Sequence, residues 1–298
     1  MRPSYPRFSE VPLTRQNNHC IDLLSEFDQY LKRKNLAPNT SVAYHTAIRG
    51  FLGTYEHPSV ENLQKYRYQL IGRYLTATVN QKIHALNHFL RFLEHCYPDL
   101  YPELKDFRLK ALKKSRTSFQ DFIISNEDCQ LLECRLQQEG QLFWYFVVRF
   151  LVTTGVRVSE LTKIKIEHLS CGYLDLYSKG GKIRRIYITD SLCKEALEWC
   201  HSAGRTSGFI FARSEGIPVT TRGIHFQLKH FAKRYGIDPA TAYPHAFRHR
   251  FAKNFLNRSG DISLLADLLG HESIETTRIY LTSSSREQQA LLDELVTW

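Results

Sequence analysis

The sequence lacks the marks of a secreted, disulfide-stapled or membrane-spanning protein. Its seven cysteines are an odd number and no Cys-x-x-Cys pair occurs, which argues against a disulfide framework and a thiolate zinc site. The longest apolar run, from Leu142 to Val148, covers seven residues, whereas a transmembrane helix needs about 20. The N-terminal residues lack the apolar core of a signal peptide. We therefore expect a soluble cytoplasmic protein without a membrane partner.

Signs of a bound cofactor are also missing. No G-x-x-x-x-G-K-[ST] loop is present to cradle the phosphates of ATP. His245 and His249 have a spacing that can bind zinc, but no acid or cysteine stands nearby to complete such a site. We therefore expect neither a metal nor another cofactor.

Positive charge is concentrated in the first part of the chain. The formal net charge is +10. Residues 1–120 hold 18 Lys and Arg against 10 Asp and Glu, a net of +8, and the remaining residues hold 22 against 20, a net of +2. An excess of this kind favours a polyanionic partner, with the first part of the chain as its main contact.

Apolar residues recur at helical spacing in the first hundred residues. After a polar arm at residues 1–19, a helix is predicted from Cys20, with an apolar face of Ile21, Leu24, Phe27 and Leu31. Three more helices are predicted, at about 40–55, 59–75 and 78–96. The pattern predicts a small all-helical domain over residues 20–97.

A basic linker is predicted over residues 98–120. It contains Pro98, Pro102 and a run rich in lysine, with little hydrophobic period. Two interpretations remain open: a solvated tether between domains, or a strap that lies along a DNA backbone. In the second case the candidate phosphate contacts are Lys105, Lys110, Lys113 and Lys114.

The rest of the chain predicts a mixed domain over residues 121–285. Two short β-like runs, Tyr173–Tyr177 and Ile183–Ile188, flank a turn at residues 178–181 and predict a hairpin. Helices are predicted around it, beginning after Ser125 and at about 142–153, 190–202, 220–235, 245–258 and 262–269, and again after Ser284. The expected fold is therefore mainly α with a small antiparallel β-sheet.

Four short segments carry groups suited to chemistry. The segment TGVRVSEL, residues 154–161, predicts that Arg157 is buried between apolar neighbours. Alone, Arg157 is more typical of an ion pair with Glu160 than of a catalytic group. The segment SKGGK, residues 178–182, puts a lysine at a hairpin tip. Alone, such a residue is usually a solvated loop lysine.

The other two segments supply histidines, an arginine and a tyrosine. HAFRH, residues 245–249, places His245 and Arg248 three residues apart on one helical face. LLGH, residues 268–271, is followed by Tyr280 nine residues after His271. Any one of these residues alone has an ordinary structural explanation.

In their order and spacing the four segments resemble the phage integrase, or tyrosine recombinase, family. The resemblance covers about residues 125–285. The helical first half resembles that family's core-binding domain, and the Xer-like recombinases are the most similar subtype. Two positions near the second arginine depart from the family pattern: Phe247 stands where Leu is usual, and Arg250 where a small hydroxyl residue is usual. After the tyrosine, Leu281 and Thr282 replace polar or His residues.

The resemblance implies a role for each matching residue. Two arginines clamp the phosphate, a histidine hydrogen-bonds to it, another histidine is the general base, a hairpin lysine is the general acid, and a tyrosine is the nucleophile. In that order the matching positions are Arg157 and Arg248, His271, His245, Lys179 and Tyr280. Lys182 is a weaker candidate for the general acid. Lys182 and Arg250 are also candidate contacts to the DNA backbone.

The resemblance further implies a double-stranded DNA recombination site as substrate and a homotetramer acting on two duplexes. A second recombinase or an accessory factor is a possible further partner, in a bacterial, phage or mobile-element setting associated with the nucleoid. The tail, residues 286–298, has a stripe of apolar residues at helical spacing, Leu291, Leu292, Leu295 and Val296. Two interpretations of the tail remain open: docking into a neighbouring protomer, or packing on its own domain.

Two other functions compete with the recombinase. A type IB topoisomerase uses related chemistry on one duplex, and a DNA-binding regulator could keep the fold without catalysis. A silent regulator should have lost one or more of the six groups, and all six are present. The sequence does not separate integration, excision, inversion and resolution, because these reactions share one active site.

Overall fold

The structure is a computed structural model. It describes residues 16–113, 123–177, 183–213, 216–271 and 273–280, together with residues 293 and 296; for residues 16–22 only the backbone is described. The chain divides into two compact units, Met1–Arg116 and Thr117–Trp298.

The first unit is a bundle of four helices. They are α1 Gln16–Arg33, α2 Pro38–Leu52, α3 Val60–Arg73 and α4 Thr76–Cys96, followed by a 3₁₀ turn Pro102–Leu104. The predicted stripe on α4 is confirmed, because Ile83, Leu86, Leu90 and Leu93 are all fully buried. Helices whose apolar faces share one core stabilise each other by removing that surface from water.

The described part of the predicted linker packs against this bundle rather than lying in solvent. Leu104 and Leu109 belong to the bundle's core. Asn87 of α4 pairs with the backbone of Leu109: its amide donates to the carbonyl at 3.0 Å, and its oxygen accepts from the N–H at 2.9 Å. Asn80 makes the same pair with Leu112, at 2.9 and 2.7 Å. We call residues 105–113 the strap.

The second unit is built around the apolar helix α6. Its helices are α5 Asn126–Gln138, α6 Leu142–Thr154, α7 Val158–Leu161, α8 Ile166–Cys171, α9 Asp190–Ser202, α10 Thr221–Arg234, α11 Pro244–Ser259, α12 Ile262–Leu269 and α13 Ile274–Arg278. Gly155 ends α6 with φ +60°, and a Cβ there would lie 2.4 Å from Phe251 of α11. Only glycine lets α6 and α11 approach so closely at this turn.

The sheet has two antiparallel strands, β1 Tyr173–Tyr177 and β2 Ile183–Tyr187. Tyr173 pairs with Tyr187 and Tyr177 with Ile183, as expected for the predicted hairpin. Residues 178–182, including Lys179 and Lys182, lie outside the described residues, as do Lys114 and most of the tail. None of the helices among the described residues is long and apolar enough to cross a membrane.

Candidate active site

The site in the second unit centres on Arg248, whose side chain is almost completely buried at 1% exposure. Its Nη1 donates to the carbonyl of Gly155 at 2.7 Å, and its Nη2 donates to the carbonyl of Leu269 at 2.6 Å. Nη2 also lies 3.0 Å from Nε2 of His271. Arg248 therefore ties the end of α6 to the end of α12.

The C-terminus of α12 gathers three arginines. Arg184 Nη2 donates to the Leu268 carbonyl at 3.1 Å, and Arg157 Nη2 donates to the Gly270 carbonyl at 3.2 Å. Since Arg248 binds the carbonyl between them, three successive carbonyls each hold one guanidinium. These groups have no partner within the helix and carry the negative end of its dipole, so they stabilise the nearby positive charges.

The prediction that Arg157 is buried was wrong. Its side chain is 42% exposed, and the buried member of the segment is Glu160, at 9%. Glu160 accepts from the backbone N–H of Arg157 at 2.8 Å and from its Nη1 at 3.0 Å. The left-handed turn at Gly155 precedes α7. Glu160 of α7 occupies the interior, while the longer side chain of Arg157 reaches the surface. The ion pair expected between these two residues is present.

Glu160 also binds Arg184, at 2.5 Å between Nη1 and Oε1. Burial opposes its ionisation, but the charge of Arg184 and the hydrogen bonds from Arg157 outweigh that effect and hold the pKa of Glu160 below its ordinary value. No motif in the sequence singles out Arg184. Its one signal is strand alternation, which puts Arg184 on the same face of β2 as the buried Ile186.

Tyr280 is buried at 6% exposure, in a small apolar cluster formed by Ala252, Leu256, Leu265 and Leu269. Burial raises the pKa of its phenol, while the charges of Arg248 and Arg157 act in the opposite direction. The His271 ring stacks on the Tyr280 ring, with centroids 6.2 Å apart. Thr277 fixes His271, since its hydroxyl lies 2.8 Å from Nδ1.

His245 lies one helical turn before His249 and is exposed. The His249 ring contacts the rings of both His245 and Tyr280, with its centroid 4.5 Å from that of His245 and 5.1 Å from that of Tyr280. Sequence reasoning considered His249 only as a zinc ligand and missed this position. Within the described ranges, no three His, Cys, Asp or Glu side chains lie close enough together to hold a metal ion.

The clustered cations lower the pKa values of the site's bases. Desolvation, followed by the charges of Arg157 and Arg184, lowers the pKa of Arg248 to about 10. Desolvation and the charge of Arg248 lower the pKa of His271 to about 4, and they also lower that of His245. The positive charge of each of these groups thus disfavours protonation of its neighbours. A phosphate beside these groups would offset their mutual repulsion.

Of the six groups matched to the family, the structure brings four together: Arg157, Arg248, His271 and Tyr280. His245 lies on the same helix as Arg248 but contacts the tyrosine only across His249. Of the candidate DNA contacts, Arg250 donates from Nε to the carbonyl of Ile124 at 2.6 Å. Lys105, Lys110 and Lys113 are exposed on the strap.

The arrangement can hold an oxyanion beside a tyrosine hydroxyl. Guanidinium groups bind phosphate oxygens bidentately in fixed geometry, and a buried site strengthens each such contact. A tyrosine hydroxyl, a cluster of cations and nearby histidines are the groups that an attack on a phosphodiester requires.

Comparison with known proteins agrees with this class. Residues 124–287 match the phage integrase family. A protein named Tyrosine recombinase XerC from Halalkalibacterium halodurans is 29% identical over 289 residues, covering 89% of this chain and 93% of the relative. The chain therefore belongs to the phage integrase family and is a tyrosine-type site-specific DNA recombinase. This match favours a recombinase over a topoisomerase or a silent regulator.

Solved structures share the fold. The integrase of the Tn1549 transposon, in complex with transposon right end DNA, is similar with a TM-score of 0.69 and 16% identity, over 93% of this chain and 99% of that one. The XerH site-specific recombinase, bound to a palindromic difH substrate, is similar with a TM-score of 0.66 and 17% identity, over 95% and 88%. The mainly helical architecture with its small antiparallel sheet is therefore that of known recombinases.

Proposed function

We propose that this chain cuts one DNA strand through Tyr280 and rejoins it to another. The observation that carries the proposal is the convergence of Tyr280, Arg248 and His271: Nη2 of Arg248 lies 3.0 Å from Nε2 of His271, and the His271 ring stacks on the Tyr280 ring. The phenol oxygen attacks phosphorus, the bond to the 5′ oxygen breaks, and a 3′-phosphotyrosyl bond forms. A strand with a free 5′-hydroxyl then reverses the step. The bond energy is retained, so no ATP is consumed.

Each group has a part in this transesterification. Negative charge grows on the non-bridging oxygens in the transition state, and Arg157 and Arg248 stabilise it. His271 adds a hydrogen bond. A phenol has a pKa of about 10 in water, and burial raises the pKa of Tyr280 further, so the phenol needs a base. We assign that role to His245, whose ring contacts that of His249, which in turn contacts the ring of Tyr280.

The leaving 5′ oxygen needs a proton, and we assign its delivery to Lys179. Lys179→Ala should cleave roughly 10²–10⁴-fold more slowly, the usual contribution of a general acid. A substrate with sulfur at the 5′ bridging position should restore most of the rate, because a thiolate leaves without a proton. Covalent-complex formation on both substrates measures this. Slow, sulfur-restored cleavage by Lys182→Ala alone would assign the role to Lys182 instead.

DNA is the proposed partner of both units. The relatives with a similar fold include recombinases solved with DNA. The strap supports a backbone contact, because the asparagine pairs hold its main chain while Lys105, Lys110 and Lys113 remain exposed. Lys182 and Arg250 stay predictions of further backbone contacts.

Removing the strap charges should flatten the salt dependence of DNA binding. Each neutralised phosphate contributes a slope of about −0.9 in the plot of log affinity against log salt. Replacing Lys105, Lys110, Lys113 and Lys114 by Ala should make the slope shallower by about that amount for each lysine that binds a phosphate, as measured by fluorescence anisotropy. Lys65→Ala is the control, since Lys65 pairs with Glu61 on α3. An unchanged slope in the fourfold variant would leave the strap without a DNA contact.

Recombination of two duplexes requires four protomers, and we propose a homotetramer on DNA in a cyclic arrangement. We further propose that the tail, residues 286–298, docks into a neighbouring protomer. The experiment that tests the proposed function is incubation with a nicked DNA site, which traps the covalent intermediate because the short cleaved fragment diffuses away. A DNA-linked species that resists denaturation is the expected result, and relaxation of DNA without any specific site would favour the topoisomerase.

A further inference from the structure

We propose that Arg184, which lies outside the six groups matched to the family, is a positioning residue for the cleavage step. It holds Glu160 so that Arg157 remains available to the phosphate. The inference rests on the proposed function, in which Arg157 binds a non-bridging oxygen.

Arg184 is fixed from two sides. Its Nη1 lies 2.5 Å from Oε1 of Glu160, and its Nη2 donates to the Leu268 carbonyl at 3.1 Å. Its side chain is 13% exposed, against 42% for Arg157. Both Nη atoms of Arg184 thus have partners inside the protein, and its side chain is less exposed than that of Arg157.

The contact between Arg184 and Glu160 determines what Arg157 can do. Oε1 of Glu160 is shared, because Arg157 Nη1 lies 3.0 Å from the same atom that Arg184 binds. Two guanidinium groups on one carboxylate leave a net positive charge. Without Arg184, the carboxylate would be neutralised by Arg157 alone, and Arg157 would be drawn into a closed ion pair with no excess charge for a phosphate.

Gly270 provides the space for Arg184. Its φ is +61°, and a Cβ there would lie 2.1 Å from Cδ of Arg184. No ordinary side chain contact is that short, so any other residue at this position would displace the arginine stem. The same glycine offers its carbonyl to Arg157. The turn after α12 thus contacts both arginines. Through Arg184, strand β2 is joined to the C-terminal end of α12.

The test compares Arg184→Met with the wild type. Methionine keeps an unbranched stem beside Gly270 but carries no charge, so the packing is preserved. We expect covalent-complex formation at saturating DNA to slow roughly 10²-fold, the size of effect seen when one preorganised donor to an oxyanion is removed. DNA affinity should change only a few-fold, and Arg184→Lys should recover part of the rate.

Arg185→Met is the matched control. Arg185 is the next residue of β2, but it points to the other face, pairs with Asp175 at 2.8 Å and stacks on Tyr173. Its replacement should leave cleavage near the wild-type rate. Thermal melting of all variants checks that the fold is kept.

A double-mutant cycle with Glu160→Gln tests the route. If Arg184 acts through Glu160, the combined variant should be no slower than Glu160→Gln alone. A substrate with sulfur at the 5′ bridging position should not restore the cleavage rate of Arg184→Met. Wild-type cleavage by Arg184→Met, additive effects in the cycle, or rescue by sulfur would each overturn the proposal; rescue would mean that Arg184 acts through the hairpin lysine. A wild-type protein that forms no covalent complex would instead refute the proposed function.

Discussion

Tyr280→Phe should bind its DNA site as the wild type does and form no covalent complex. The change removes only the hydroxyl, which is the proposed nucleophile, and leaves the ring that packs among Ala252, Leu256, Leu265 and Leu269. Because the ring is 6% exposed and fits an apolar cluster, the fold should be retained. Electrophoresis of the protein with a nicked DNA site, under denaturing conditions, measures the covalent species.

Tyr235→Phe is the control for this experiment. It also removes one tyrosine hydroxyl from the second unit, one that donates to Glu139 at 2.9 Å. It should form the covalent complex at the wild-type rate. A covalent complex in Tyr280→Phe would move the nucleophile to another residue.

The second large effect is expected for Arg248→Lys. A lysine ammonium keeps the charge but cannot reach the carbonyls of Gly155 and Leu269 and a phosphate oxygen together, as a planar guanidinium can. We expect cleavage to fall by at least roughly 10²–10³-fold, as for the removal of one oxyanion donor. Single-turnover cleavage of the nicked site measures this. Alanine is less informative, because each buried carbonyl left unpaired costs about 1–3 kcal/mol of stability.

Arg149→Lys is the matched control for the arginine. Arg149 also sits within the second unit, and its ion pairs are with Glu133 at 3.5 Å and Glu195 at 3.6 Å, neither of which is a residue of the site. Its replacement should affect stability rather than cleavage. Equal cleavage rates for Arg248→Lys and Arg149→Lys would show that Arg248 has no part in the cleavage step.

The sequence predicted the long elements well, because their apolar periods extend over several turns. The stripe on α4 and the two strands of the hairpin are where the pattern indicated. On α1 the predicted Phe27 and Leu31 are buried and Leu24 is partly buried against the same core, while Leu23, which was not predicted, is buried as well. The short helices α7, α8 and α13 have four to six residues, too few for a hydrophobic period to be visible.

The candidate site was predicted from motifs, and its geometry was not. The motifs indicated Arg248 and Tyr280, but nothing in a helical pattern reveals that Arg248 is almost completely buried. That burial depends on carbonyls at the ends of two helices distant in sequence, Gly155 and Leu269. Glu160 took the interior position expected for Arg157 for the same reason: long-range partners, absent from the local sequence, decide which charge is enclosed.

The most direct test of the central claim is to identify the residue that becomes bonded to DNA. The wild-type protein is trapped on a nicked site, the DNA is digested to a single nucleotide, and the protein is cleaved with trypsin for mass spectrometry. The account predicts a nucleotide on the peptide IYLTSSSR, residues 279–286, with fragmentation that assigns it to Tyr280. A nucleotide on any other tyrosine, or on a serine of the same peptide, would contradict it.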